Sequence, residues 1–325
     1  MNLGVQAFWY KSDSMKQLTK QSFEAARTWL KNNGRPLEQA QFALSFEGGS
    51  ADAVIDALSA FQNADGGYGH CLEPDHANNE STVLNTSVAL AIHRRLRTPS
   101  DHPQVVEAMG YLMTNYDHSR QIWPMRPPVE PGMPGPPWFI AETMEALRDS
   151  FGGFRINPTA EIVGYLHDHA AVASPDWLPQ ATDRVMQALL DQSEQLSHHD
   201  LICGAQLLQS HALPAESRLG LKQRLDVALP AAIEPDTSKW HSYVFRPTLI
   251  IDEPSHPLMD CVDQDVMDAD LAFEIDRVSD DGAWHPFWNW GPDTPAWRQA
   301  EHAWSSVVTE RTLRVLEAFG RISPG

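Results

Sequence analysis

The chain has 325 residues and carries 24 Lys and Arg against 43 Asp and Glu, a formal charge of −19 at pH 7. An acidic surface of that size argues against nucleic acid and anionic membranes as partners, because phosphate contacts need clustered basic side chains. With 42% hydrophobic and 21% charged residues the composition is that of a globular protein with a sizeable core, and the length fits one large domain or two ordinary ones.

Helical periodicity dominates the pattern. The segment 21–33, QSFEAARTWLKNN, places Phe23, Ala26 and Leu30 at helical spacing, and Gly34 and Pro36 stop it. A short helix is expected near 36–45. The segment 50–63 starts at Ser50 as N-cap and carries the stripe Val54, Ala57, Leu58 and Phe61. The segment 81–96 follows, with Val83, Ser87, Leu90 and Ala91 on one face. Further helices are expected over 103–116, 138–150, 158–170, 179–196, 198–212, 215–232, 262–277 and 297–319, with His198, His199 and Asp200 capping their helix. Only 243–251, YVFRPTLII, reads as extended. Most connections are short, which favours antiparallel helix pairs. Two are long and rich in Pro and Trp, 121–138 and 280–297. Loops of that length tend to carry function, although the first reads equally well as a rigid strap.

Cys71, Cys203 and Cys261 are widely spaced and odd in number, which argues against a disulfide framework and for a reducing compartment. The first twenty residues lack the apolar core of a signal peptide, and no apolar run approaches membrane-spanning length. The expectation is a soluble, cytoplasmic protein of undetermined oligomeric state.

Two short stretches resemble each other. NADGGYG at 63–69 and SDDGAWH at 279–285 each follow an amphipathic helix, pairing Asp65 with Asp281 and Tyr68 with Trp284. A repeated turn between helix pairs suggests a solenoid or a closed ring of helices. Residues 62–69, QNADGGYG, resemble the Q-x-x-x-G-x-[W/Y] repeat of the prenyltransferase and squalene/terpene cyclase superfamily. The second copy has Val278 where the Gln would stand. The resemblance implies an all-α fold, an (α/α)6 toroid of inner and outer helices occupying residues 1–325 as one domain, with a central cavity. It also implies chemistry that this sequence does not spell out. The acids nearest to a D-x-D-D run are Asp263, Asp265, Asp268 and Asp270, which read instead as a solvated helix face. The Asp, Cys and His zinc ligands of protein prenyltransferases have only Cys261, flanked by Asp260 and Asp263, with His285 or His302 as a distant partner.

Candidate sites follow from residue chemistry. His70, Cys71, Glu73 and Asp75 come directly after the first turn. They read as a loop kinked at Pro74, as ligands of a borderline divalent ion, or as acid/base groups, since a carboxylate beside aromatic walls has a raised pKa. No cofactor is called for, and a divalent metal stays open. Trp284, His285, Trp288 and Trp290 could line a pocket, with Tyr68 stacked over a helix end, or could seal the core. Tyr243 and Arg246 form a further mixed set, in which Arg246 would bind a carboxylate or phosphate, or a structural acid. The leading expectation is a cyclase- or transferase-like enzyme acting on an apolar or sugar-like small molecule. Glu73 or Asp75 would be its acid/base group, with Trp284, Trp288 and Trp290 as walls. The alternatives are a carbohydrate-active toroid enzyme using Asp75 with Asp281, and a non-catalytic binding scaffold.

Overall fold

A computed structural model describes residues 16–323 apart from 77–78, 126–134, 140–142, 144, 146–151, 192 and 194. Among the described residues the protein is all-α, with eleven helices and no strand. They are α1 (Lys20–Asn33), α2 (Pro36–Phe46), α3 (Ala51–Ser59), α4 (Val83–Leu96), α5 (Pro103–Thr114), α6 (Ile156–Asp168), α7 (Leu178–Leu190), α8 (His198–Leu208), α9 (Ala215–Ala232), α10 (Gln264–Asp276) and α11 (Pro295–Ala318). None of the described helices is long and apolar enough to cross a membrane.

Local chemistry sets the boundaries. Thr19, Ser50, Thr82 and Thr294 accept the backbone N–H three residues on, which starts α1, α3, α4 and α11. The cap of α8 is Ser197, which forms a capping box with Asp200, so the two histidines are the first helical residues and not the cap. Segment 243–251 is not a strand: Pro247 opens a short 3-10 turn through Leu249. The helix expected over 138–150 and the middle of the strap 121–138 lie outside the described residues; Pro137–Phe139 form a single 3-10 turn.

The order of packing explains where the core sits. Helix α2 packs on α3 and α11, α4 on α3, α5 and α6, α6 on α7 and α8, and α9 on α7 and α8. The two chain ends meet where Leu18 exchanges backbone hydrogen bonds with Arg321 and Ser323. Helices α4 and α11 are enclosed on nearly every side. In each, the buried set includes polar side chains as well as apolar ones: Asn85, Thr86 and Ser87 in α4, Ser305, Ser306 and Thr309 in α11. A simple apolar stripe could not reveal this, because buried hydroxyls are tolerated only where each finds a partner.

For Thr86 and Thr309 the partner comes from the two repeated turns, whose backbone bonds match. Gly66 and Gly282 both have positive φ, at 84° and 91°. Asp65 accepts from Gly67 N–H, and Asp281 accepts from Ala283 N–H. Asn63 N–H donates to Gly67 C=O and Ser279 N–H to Ala283 C=O. Tyr68 N–H then donates to Thr86 Oγ1 of α4 at 3.0 Å, and Trp284 N–H to Thr309 Oγ1 of α11 at 2.9 Å. Each turn thus delivers its chain onto a central helix.

Candidate active site

A cavity of about 1430 Å³ opens between the central helices. Its wall is built by α2, α4, α8, α9, α11 and residues 249–257. The loop after the first turn reaches it through Leu72, Glu73 and Pro74.

Backbone strain aims this loop. His70 and Cys71 are consecutive left-handed residues, at φ 54° and 57°, a conformation that costs a non-glycine residue about 1 kcal/mol or more. Arg35 offsets it. Its guanidinium donates to Cys71 C=O at 2.9 Å and Leu72 C=O at 3.2 Å while forking onto buried Glu38 at 2.6 and 2.7 Å. Glu73 N–H donates to Asn85 Oδ1 at 2.7 Å, pinning the loop to the first turn of α4. The result is a carboxyl group on the cavity wall whose Oε2 is buried and has no hydrogen-bond partner. Burial, then the neighbouring Asp75 charge, push the Glu73 pKa well above the ordinary carboxylate range, against the pull of the His76 and Asp75 backbone N–H groups and of Arg35.

Asp75 is buried beside it. Its Oδ1 accepts both Trp290 Nε1–H at 3.0 Å and Trp304 Nε1–H at 2.7 Å. Burial raises the Asp75 pKa, and the two indole bonds oppose that rise. Trp304 lines the cavity and meets Trp288 edge-on at 5.1 Å, and Trp288 meets Tyr243 edge-on at 5.9 Å. Tyr243 is mostly exposed, and its hydroxyl bonds His199 Nε2 at 2.9 Å. Asp75, Trp290, Trp288 and Tyr243 are thus linked to Trp304 behind the cavity wall, but of these residues and Glu73 only Glu73 and Trp304 line the cavity, so Trp288 and Trp290 are not its walls. In the sequence, Trp304 belongs to a C-terminal crowd of tryptophans that reads as either a packing cluster or an apolar pocket. The signal was its spacing: Trp304, Val307, Arg311 and Arg314 recur at i, i+3, i+7 and i+10, one face of α11, and all line the cavity.

The other candidates serve the fold. Tyr68 is fully buried and its hydroxyl donates to Gln104 at 3.2 Å, so it has no face for a substrate. Trp284 is fully buried and its indole donates to Glu274 C=O at 2.8 Å. Arg246 is buried in an ion pair with Asp270 and, at 2.7 Å, with Glu274. His70 turns away onto Asn63 Oδ1 at 2.8 Å. Asp281 and His285 stay with the second turn, 3.3 Å apart, and His285 also bonds Ser305 at 2.8 Å. This removes the Asp75–Asp281 carboxylate pair, because Asp281 is exposed in the second turn and absent from the cavity wall. The acidic run 263–270 is solvated only at its start: Asp263, which caps α10, and Asp265 are exposed, whereas Asp268 pairs with Arg321 and Asp270 is fully buried. No cluster of three or more His, Cys, Asp or Glu side chains arranged for a metal ion occurs among the described residues.

No family model, curated protein or solved structure matches this chain.

A second protonatable carboxyl lies between α4 and α6. Glu161 accepts a short bond from Ser87 Oγ, and burial raises its pKa to about 7, against the pull of Ser87 and Arg94. A carboxyl whose folded pKa is raised contributes stability below the unfolded value, and that contribution is lost as pH rises towards 7. Glu161→Gln should therefore gain stability over the parent at pH 8, by at most roughly 3 kcal/mol, and almost none at pH 4. Urea midpoints at the two pH values check this; equal shifts at both would contradict it.

Proposed function

We propose that this protein is a small-molecule enzyme in which Glu73, held protonated, acts as general acid on a substrate in the central cavity. The observation that carries the reading is the Glu73 carboxyl itself: on the cavity wall, its Oε2 buried without a partner, its pKa raised by burial and by Asp75. Burial of this kind favours the protonated form of the acid, and a carboxyl so poised, with Oε2 unpartnered, is equipped to give its proton to a bound molecule. Asp75, fixed by two indoles, keeps a second carboxylate close and holds the Glu73 pKa up. Trp304 supplies a flat apolar wall beside the acid, suited to an apolar or sugar-like ring.

For the architecture we propose an (α/α) toroid. Helices α2, α4, α8 and α11, together with α9, would form its inner wall, the remainder its outer one. Support comes from the matching turns at 62–69 and 278–285, each feeding a central helix, and from their likeness to the squalene/terpene cyclase repeat. The three free cysteines fit a cytoplasmic setting.

The test compares purified protein with its Glu73→Gln variant by profiling small molecules in a metabolite extract before and after incubation. The parent should consume at least one compound that the variant turns over at least about 100-fold more slowly, the usual scale of a general acid. The variant should melt within a few degrees of the parent. Identical profiles, or a variant that fails to fold, would make Glu73 a structural cap and remove the proposal.

A further inference from the structure

We propose that Arg95, Arg311 and Arg314 form a recognition site for one oxyanion head group, a phosphate or carboxylate, at the end of the cavity remote from Glu73. The inference rests on the cavity being the substrate site, and it assigns to that substrate a charge and a length.

Charge distribution points there first. The protein as a whole is strongly acidic. Yet this cavity is lined by eight basic side chains and seven acidic ones, counting Glu73. Three of the eight cations are neutralised by a close carboxylate: Arg35 by Glu38 at 2.6 Å, Arg94 by Asp168 at 2.7 Å, Lys222 by Asp226 at 2.7 Å. Arg95, Arg97, Arg218 and Arg311 are not, and of these Arg95 and Arg311 face the charge of Arg314. Among the described residues Arg95 donates to the neutral amide oxygen of Gln41, and Arg311 to Thr248 C=O at 2.5 Å. Neither forms an ion pair among the described residues. Arg314 reaches Asp252 at 3.4 Å and Glu310 at 3.5 Å, and its Nε and Glu310 Oε1 are both buried without a hydrogen-bond partner. A guanidinium offers five N–H donors in a planar fork. Three such forks against two loosely placed carboxylates leave donors for another anion, and Arg binds planar oxyanions through two parallel hydrogen bonds. Burial is the main cause that lowers the pKa of both Arg95 and Arg311, and Arg314 adds to it, against the pull of Glu310 and Asp252 on Arg95 and of Asp252 and Glu274 on Arg311.

Two helices independently measure the distance to the acid. Along α4, Asn85 binds Glu73 and Arg95 lies ten residues on, about 15 Å at 1.5 Å per residue. Along α11, Trp304 stands at the acid end and Arg311 and Arg314 lie seven and ten residues on, about 10–15 Å. Between the two ends the wall carries Val88, Ala91 and Ile92 from α4 and Val307 from α11. The matching ligand is an elongated molecule with an apolar body and an oxyanion head about 10–15 Å from the atom that receives the proton.

Isothermal titration calorimetry with decyl phosphate, decanoate and decanol tests this on the full chain. At least one anionic probe should bind tenfold or more tightly than decanol, and whichever of the two binds better identifies the head group as phosphate or carboxylate. Arg95→Gln combined with Arg311→Gln should abolish that preference and leave decanol binding unchanged. If the double variant does not fold, Arg95→Gln alone, which gives up only the bond to Gln41, should reduce the preference threefold or more. Glu73→Gln should retain it. Equal binding of anionic and neutral probes, or a preference that survives the arginine substitutions, would overturn the subsite while leaving the Glu73 reading intact. If none of the three probes binds, both the subsite and the cavity's role as a substrate site fall.

Discussion

Replacing Arg246 with Met is expected to destabilise the protein by about 3–5 kcal/mol, the usual cost of removing one partner from a buried charge network. Arg246 is 1% exposed, and the carboxylates it faces, Asp270 and Glu274, are 0% and 5% exposed. Its guanidinium lies 4.7 Å from the Phe273 ring centre and 5.1 Å from that of Phe287, so stacking is lost along with charge. Burial by itself would lower the Arg246 pKa, but Asp270 and Glu274 more than offset it. Glu274 keeps a second cation, Arg277 at 2.7 Å, whereas Asp270 keeps only the Thr248 N–H at 2.8 Å. Asp270 is thus the group left bare. Urea denaturation of the parent and of Arg246→Met at pH 8 measures the deficit. A deficit under 1 kcal/mol at pH 8 would show that the network relaxes around the missing cation. Arg246→Lys should recover part of the loss, keeping the charge without the planar fork.

The Arg246 case shows where sequence reading reaches and where it stops. An arginine in an acidic chain fits a substrate anion or an internal carboxylate equally well, and only the packing of α10 against residues 247–249 decides for the carboxylates. Helix positions were legible because caps and apolar spacing are local. The end of α3 at Ser59 was not, since Ala60 to Gln62 already belong to the turn that Gln62 closes through Gly66 C=O at 3.1 Å. At the candidate site, Glu73 and Asp75 were legible as acids left over once the turn was explained. Trp304, Arg95 and Arg311 were not. They sit in regular helices, and what marks them is a polar face turned inward around a cavity. Amphipathic pattern alone assigns such a face to solvent.

The largest local consequence of the repeated turn should appear at its glycines. Gly282→Ala is expected to lower stability by roughly 3 kcal/mol, combining a left-handed backbone with a steric clash. A Cβ at Gly282 would stand 2.6 Å from the carbonyl carbon of Ala25 in α1, and one at Gly66 would stand 2.6 Å from the carbonyl oxygen of Glu107 in α5. Both neighbours are backbone atoms of regular helices, so neither can swing aside as a side-chain tip could. Gly66→Ala should therefore cost about as much as Gly282→Ala, on the opposite copy of the turn. The two turns contact different helices, so the costs should add in the double variant to within about 0.5 kcal/mol. Guanidinium unfolding of the three variants tests this. A loss under 1 kcal/mol at either glycine would mean that its turn slides away from the neighbouring helix. A strongly non-additive double variant would mean that the two turns act through a shared element. Either result would weaken the equivalence of the turns, on which the toroid proposal depends.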